Sequence, residues 1–357
     1  MQDQDDVFDQ PLTRQPTILS VYNQKGGVGK TTTAVNLAIS LAALGKSVVL
    51  IDFDPQSSAT SNFLLTGKAK VGIHDLLNQE VFVEDAVTPT SFDGLSMIVG
   101  ARKLYSLEHA LDQPRGGSQR GLRKALYFTN DPPDYIVIDC PPALGHLAAG
   151  ALAASDRLVV PVFPGRYALD GLQRTMSVVE HIQKGMNPNL GIAGILMLSV
   201  TNDEVGRESL AQLRAGYANL MFRTAVPYDV DVVKATYRRM PVTIFSPDGR
   251  TAARFLALAA EIIGGRGHAP SEADLKPALE RIRAWHADND AAYTGAQRPT
   301  PEGEADDTPR NGAPSSKAKS RTGLALAMGV LGLLVGFAAG TFAGQPLLGA
   351  IMAALNG

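Results

Sequence analysis

Asn23-Gln24-Lys25-Gly26-Gly27-Val28-Gly29-Lys30-Thr31-Thr32 follows the apolar run Thr17-Ile18-Leu19-Ser20-Val21-Tyr22 and opens a helical pattern in which Val35, Leu37, Ala38, Leu41 and Ala42 share one face. A strand, a glycine-rich turn and a helix start in that order make a cradle for phosphate. Backbone N–H groups and the helix N-terminus meet the negative charge, and one lysine completes its neutralisation. Gly26, Gly27 and Gly29 let the backbone approach the phosphates in conformations barred to larger residues. Val28 lies between them in the same turn. Lys30 is placed to reach the β- and γ-phosphates, the Thr31 hydroxyl to ligate Mg²⁺, and Thr32 to touch the α-phosphate. The ligands this predicts are ATP and Mg²⁺.

Outward from the loop, strand and helix patterns alternate. Val48-Val49-Leu50-Ile51 ends at Asp52-Phe53-Asp54, and further strands are predicted at 95–98, 135–138, 157–162, 192–198 and 222–225. Helices fit around 104–111, 118–127, 146–154, 167–183, 205–219, 230–238 and 249–264, with an amphipathic segment at 271–288. Nearly continuous apolar runs are the mark of parallel strands covered on both faces. The expected fold is therefore a doubly wound, mostly parallel α/β sheet with ligands at the carboxyl ends of its strands. Carboxylates stand where such a sheet would present them: Asp52 and Asp54 after the second strand, Asp139 after Tyr135-Ile136-Val137-Ile138. Cys140 has no His–Asp constellation beside it and reads as a small buried side chain. The six histidines show no metal-ligand spacing.

The stretch NQKGGVGKTTTAVNLA resembles the ParA/MinD family of partition and positioning P-loop ATPases. Gln24 stands where an ordinary P-loop has its first glycine, and Lys25 is an additional lysine. In that family the extra lysine crosses a dimer interface to the phosphates of the partner's ATP, so the resemblance implies an ATP-dependent homodimer with Lys25 as both a nucleotide-binding and a catalytic residue beside Lys30. Asp52-Phe53-Asp54-Pro55-Gln56 resembles the family's second block. The resemblance implies that Asp54 polarises the attacking water and that Asp52 supports the metal. Asp139 matches the Walker B carboxylate and is expected on the Mg²⁺ side with Thr31 and Asp52. By the same resemblance Pro227, with Tyr228 and Asp229, lies near the adenine, and a ParB-like or other activator or cargo protein is the expected partner. Non-specific DNA is a further partner the family implies. Here, however, the two arginine positions of its IPRNVRL-like segment are Tyr228 and Asp231, and an acidic residue on a phosphate-contacting surface costs affinity. A reductase relative carrying an iron–sulfur cluster would need a set of cysteines, and the chain has 1.

The ends differ from the middle. A net charge of −2 over 357 residues excludes a global basic field, so any nucleic-acid site must be a local patch. The lone cysteine fits a reducing compartment, and residues 1–16 are acidic and lack the features of a signal peptide. These are read as a disordered tail, 17–288 as the ATPase domain and 289–321 as a flexible linker. From 322 to 357 no charged residue occurs. Gly323 to Ala343, at roughly 1.5 Å per residue, is long enough to cross a hydrocarbon core of about 30 Å. Lys317, Lys319 and Arg321 precede it on the side the positive-inside rule would place in the cytoplasm. The reading is a transmembrane helix anchoring a cytoplasmic ATPase to the inner membrane. A hairpin with Leu347–Leu355 and a helix packed on the soluble domain are the alternatives. Two functions follow: a membrane-tethered ATPase switch that positions a cargo, or a DNA-partition protein working by reversible, ATP-dependent nucleoid binding.

Overall fold

Strand β1 (Thr17–Val21) is buried along nearly its whole length because it lies in the middle of a sheet covered on both faces. The computed structural model describes residues 15–295 except 64, 66, 105–120, 129, 166 and 202. Within them the chain runs β1, α1 (Lys30–Ala43), β2 (Val48–Asp52), α2 (Ser58–Asn62), α3 (Ile73–Leu77), α4 (Val83–Ala86), β3 (Thr88–Pro89), β4 (Leu95–Ile98), α5 (Gly121–Ala125) and β5 (Tyr135–Asp139). It continues through α6 (His146–Ala154), β6 (Arg157–Val162), α7 (Ala168–Gly185), β7 (Gly191–Val200), α8 (Glu204–Tyr217), β8 (Met221–Pro227), α9 (Val230–Tyr237), α10 (Val242–Phe245), α11 (Arg250–Gly264) and α12 (Glu272–Gly295). The strand order is β3-β4-β2-β5-β1-β6-β7-β8, and every pairing is parallel except β3 with β4. One apolar layer packs α1, α11 and α12 on one face of the sheet, and a second packs α6 and α7 on the other.

Register is what matters for the site. Val21 lies beside Asp139, and Asp52 lies beside Asp139 on the other side. Two carboxylates and the last residue of β1 therefore reach the same edge of the sheet, where the crevice of a doubly wound fold opens.

The long elements sit where the apolar periodicity predicts them, with strands β7 and β8 extending further at both ends. The helix predicted at 104–111 falls almost wholly outside the described residues. α2, α3, α4 and α10 each have four or five residues, too few to show a helical period in sequence. α12 runs on to Gly295, past the boundary expected at 288. It is fixed to the body by Trp285, whose indole N–H donates to the Ser91 carbonyl at 2.6 Å while its ring lies against Phe92.

The expected transmembrane helix requires correction, and with it the membrane anchor and inner-membrane location. Among the described residues no helix is long and apolar enough to cross a membrane. The longest, α12, carries Glu272, Asp274, Glu280, Arg281 and Arg283. The stretch 322–357 on which the expectation rested lies outside the described residues. That expectation rested on apolar length alone, which counts hydrophobic residues and says nothing of what they form.

Far from the crevice, the fully buried Glu261 of α11 accepts N–H groups from Arg223 at 2.8 Å, Thr224 at 3.0 Å and Gly267 at 2.9 Å. It ties edge strand β8 to the turn after α11. Glu261→Ala should lower the unfolding free energy by about 3 kcal/mol or more, since buried donors lose a charged acceptor. Urea unfolding monitored by circular dichroism checks this, and a loss below about 0.5 kcal/mol would contradict the assignment.

Candidate nucleotide and metal site

The loop from Asn23 to Gly29 leaves β1 and turns directly into α1. Gly27 and Gly29 adopt φ of 71° and 79°, the left-handed region that favours glycine. A methyl group on Gly29 would also stand 2.7 Å from Leu198 Cδ1, so that residue is fixed twice over. At Gly26 and Gly27 the same methyl would meet nothing within 4 Å. The loop is thus braced beneath and open above, as a cradle for a phosphate chain requires. Val28 is buried and anchors the turn, while Thr31 and Thr32 are half-buried at the first turn of α1.

Lys30 is buried, and its ammonium donates to the Lys25 carbonyl at 3.0 Å. Burial pulls its pKa below the ordinary lysine value, and the nearby Asp139 carboxylate resists that fall. Lys25 itself is exposed on the loop. Asn23, a residue the sequence reading passed over, holds this arrangement: its side-chain N–H donates to the Pro161 carbonyl at 2.8 Å and its oxygen accepts the Lys25 amide at 2.9 Å.

Asp52 and Asp139 are completely buried. One oxygen of Asp52 accepts the amide and the hydroxyl of Thr60, both at 2.7 Å. Its other oxygen, and both oxygens of Asp139, have no hydrogen-bond partner. The Thr31 hydroxyl approaches Asp139 closely enough to moderate its charge without reaching hydrogen-bond geometry. Burial pushes the Asp52 pKa up to about 6, against the opposing pull of Thr60. Asp139 is raised well above the usual carboxylate range by burial and then by the charge of Asp52. Three buried carboxylate oxygens without partners, beside a threonine hydroxyl, form a donor set that a hard divalent cation satisfies. Two protein carboxylates at most is the pattern of Mg²⁺, which keeps several waters. Thr31, Asp52 and Asp139 therefore fit the metal, and among the described residues no group of three His, Cys, Asp or Glu forms an alternative cage.

Asp54 lies two residues beyond Asp52 and is half-buried. One of its oxygens accepts the Gln56 amide at 2.9 Å, a local turn contact that fixes the side chain. Cys140 is buried, and burial pushes its thiol up to about 12, which leaves it without nucleophilic character at neutral pH. Pro227 stands apart from this cluster. It ends β8, three strands and about 14 Å from β1, and the Tyr228 amide donates to the Val200 carbonyl there. A cavity of about 990 Å³ opens beside Thr31 and Thr32 between α1, α2 and α9; Pro227 does not line it.

A family model described as an AAA domain matches residues 16–192. The sporulation initiation inhibitor protein Soj of Bacillus subtilis is 36% identical over 248 residues, covering 69% of this chain and 97% of that protein. The chromosome partitioning protein ParA of Caulobacter vibrioides is 35% identical, covering 69% and 93% respectively. Among solved structures, cobyrinic acid a,c-diamide synthase from Mycobacterium smegmatis with bound ADP and magnesium superposes with a TM-score of 0.61 at 25% identity, over 72% of this chain and 100% of that one.

The raised carboxyls give a pH test. A carboxyl whose pKa is raised on folding holds its proton more tightly in the native chain than in the unfolded one. Stability of the metal-free protein should therefore rise as pH falls from 7 towards 5. The Asp52 carboxyl is worth up to roughly 2–3 kcal/mol in this way. Asp52→Asn should flatten that dependence and remove the stabilisation that added Mg²⁺ gives at pH 7. Thermal unfolding at pH 5, 6 and 7 with EDTA or Mg²⁺ reads both effects, and an unchanged slope in the variant would contradict them.

Proposed function

The chain belongs to the ParA/MinD family of P-loop ATPases with the additional loop lysine, and from that premise we propose that it is a partition ATPase whose ATP-bound dimer holds DNA reversibly. As a family member it is an ATP-hydrolysing enzyme that uses Mg²⁺. The observation that carries the finer reading is its match along 97% and 93% of two relatives, one of them named for chromosome partitioning.

ATP enters with its β- and γ-phosphates over Gly26 to Gly29. Lys30 gives up the Lys25 carbonyl for phosphate oxygen, and Thr32 meets the α-phosphate. Thr31, Asp52 and Asp139 would hold Mg²⁺, which when bound would neutralise charge on the phosphates. The adenine extends towards Pro227, the end of the edge strand. Lys25, exposed on the loop, crosses to the phosphates of a second copy. Dimerisation and nucleotide state are thereby one equilibrium, since neither face alone neutralises the triphosphate. Asp54 accepts a hydrogen bond from the attacking water, whose oxygen bonds to the γ-phosphorus as the bond to the bridging oxygen breaks. ADP and phosphate result, and the dimer opens.

DNA is held weakly. Tyr228 and Asp231 replace cations, and those that remain near α9 are partly engaged: Lys234 pairs with Asp231 at 2.9 Å, Arg250 with Asp229 at 3.8 Å, and Arg238 lies 5.2 Å from the Phe245 ring centroid. Together with Arg239 they form a small local patch, in line with the near-neutral chain. Retention on DNA then depends on two copies acting together and falls steeply with salt. A ParB-like or cargo protein would accelerate hydrolysis and so release the dimer.

Three substitutions in the full chain separate these roles. Lys30→Ala should abolish ATP binding. Lys25→Ala should bind ATP but sediment as a monomer, and Asp54→Ala should form the ATP dimer while turnover falls by at least about 100-fold. Analytical ultracentrifugation, phosphate release and DNA retention at 50 and 300 mM salt check them. Wild-type turnover in Asp54→Ala would refute the role of its carboxylate, and absence of ATP-dependent DNA retention at low salt would refute the partition reading.

A further inference from the structure

We propose that Thr175 of α7 is a positioning residue for Lys25, coupling that helix to the phosphate loop through one shared hydroxyl proton. The inference rests on the role given above to Lys25 and concerns a residue on an element otherwise remote from the nucleotide.

Thr175 is fully buried, and Asn23 nearly so. The Thr175 oxygen accepts the Gln24 amide at 3.4 Å. Its single proton has two acceptors within reach: the Asn23 side-chain oxygen at 3.2 Å and the carbonyl of Gly171, one turn back in its own helix, at 3.0 Å. A threonine inside a helix ordinarily returns its proton to that preceding carbonyl. Here the second acceptor is the atom that also receives the Lys25 amide at 2.9 Å. The amides of Gln24 and Lys25 are therefore held by a pair of side chains, Asn23 and Thr175, and Asn23 is itself pinned to β6 through the Pro161 carbonyl.

The side chain of Lys25 meets the same helix. A methyl group on Gly171 would lie 4.0 Å from Lys25 Cδ, so the lysine stem runs along the glycine face of α7. Backbone and stem of the one residue that must project from the loop are thus set by a single turn of α7, from Gly171 to Thr175. When the proton goes to Asn23 the loop is clamped to the helix. When it goes to Gly171, Asn23 keeps only the Lys25 amide on that oxygen and the clamp loosens. Nothing in this network touches the open side of Gly26 and Gly27, so the direction of Lys25 can change without loss of the cradle itself.

The test compares full-length wild type with Thr175→Val, which removes the hydroxyl at nearly constant volume, and Thr175→Ser, which keeps it. Hydrogen exchange of the Gln24 and Lys25 amides is read without nucleotide, and ATP affinity and turnover are read with Mg²⁺. The expected result for valine is exchange faster by about tenfold, turnover lower by about tenfold and affinity within about twofold, with serine restoring all three. Wild-type exchange and turnover in Thr175→Val overturn the proposal. So does a proportional fall in affinity and turnover, which marks general loop damage, or a failure of serine to rescue. If valine does not fold, Thr175→Ala gives the same comparison. The exchange readout needs no dimer: a wild type that fails to dimerise with ATP counts against the proposed function, while faster amide exchange in the valine variant still upholds the clamp.

Discussion

Asp52 and Asp139 sit side by side because β2 and β5 pair in one register, and both are completely buried. Burying two carboxylates together is costly unless a cation joins them, and the cost appears here as raised pKa values and three oxygens without a hydrogen-bond partner. Much of the rest of the site answers that demand. Thr60 satisfies one oxygen of Asp52 and so keeps the side chain from rotating, the Thr31 hydroxyl stands beside Asp139, and Lys30 is drawn down among them. The glycines of the loop, in left-handed conformations open to them, then bring backbone amides to the same edge of the sheet. Metal and triphosphate are two halves of one charge balance, and each fits poorly without the other.

That balance extends into the loop itself. Lys30 is satisfied in the free chain by the Lys25 carbonyl, an internal stand-in for phosphate. In the function proposed above, releasing that carbonyl would free the peptide of Lys25 as its side chain crosses to a second copy. One hydrogen bond would thus be exchanged for another. The amide of Lys25 is held separately, by the side-chain oxygen of Asn23.

Much of this was legible from the residues, and the gaps have physical causes. β1, β2 and β5 announce themselves because a strand buried on both faces must be apolar throughout, and the loop follows from glycine and lysine spacing alone. α2, α3 and α10 do not, because four or five residues make about one turn and carry no period. Thr60 was invisible because its role is a contact made across a turn eight residues from Asp52. Asn23 and Thr175 are 152 positions apart and meet only once the fold brings β1 beside β6 and α7. Hydrophobic length at the end of the chain is easy to count, but a count alone does not establish a spanning helix. The cations near α9 show a further limit, since sequence counts charges and the fold reveals which already have partners.

Coupling of magnesium to nucleotide at the buried carboxylates is the property from which the rest follows. Equilibrium titration of ATP into the full chain, once with Mg²⁺ and once with EDTA, measures it directly. Affinity at least about tenfold tighter with the metal is the result predicted, because the cation cancels charge on both the phosphates and the aspartates. Equal affinity in both conditions, or no binding in either, would contradict it.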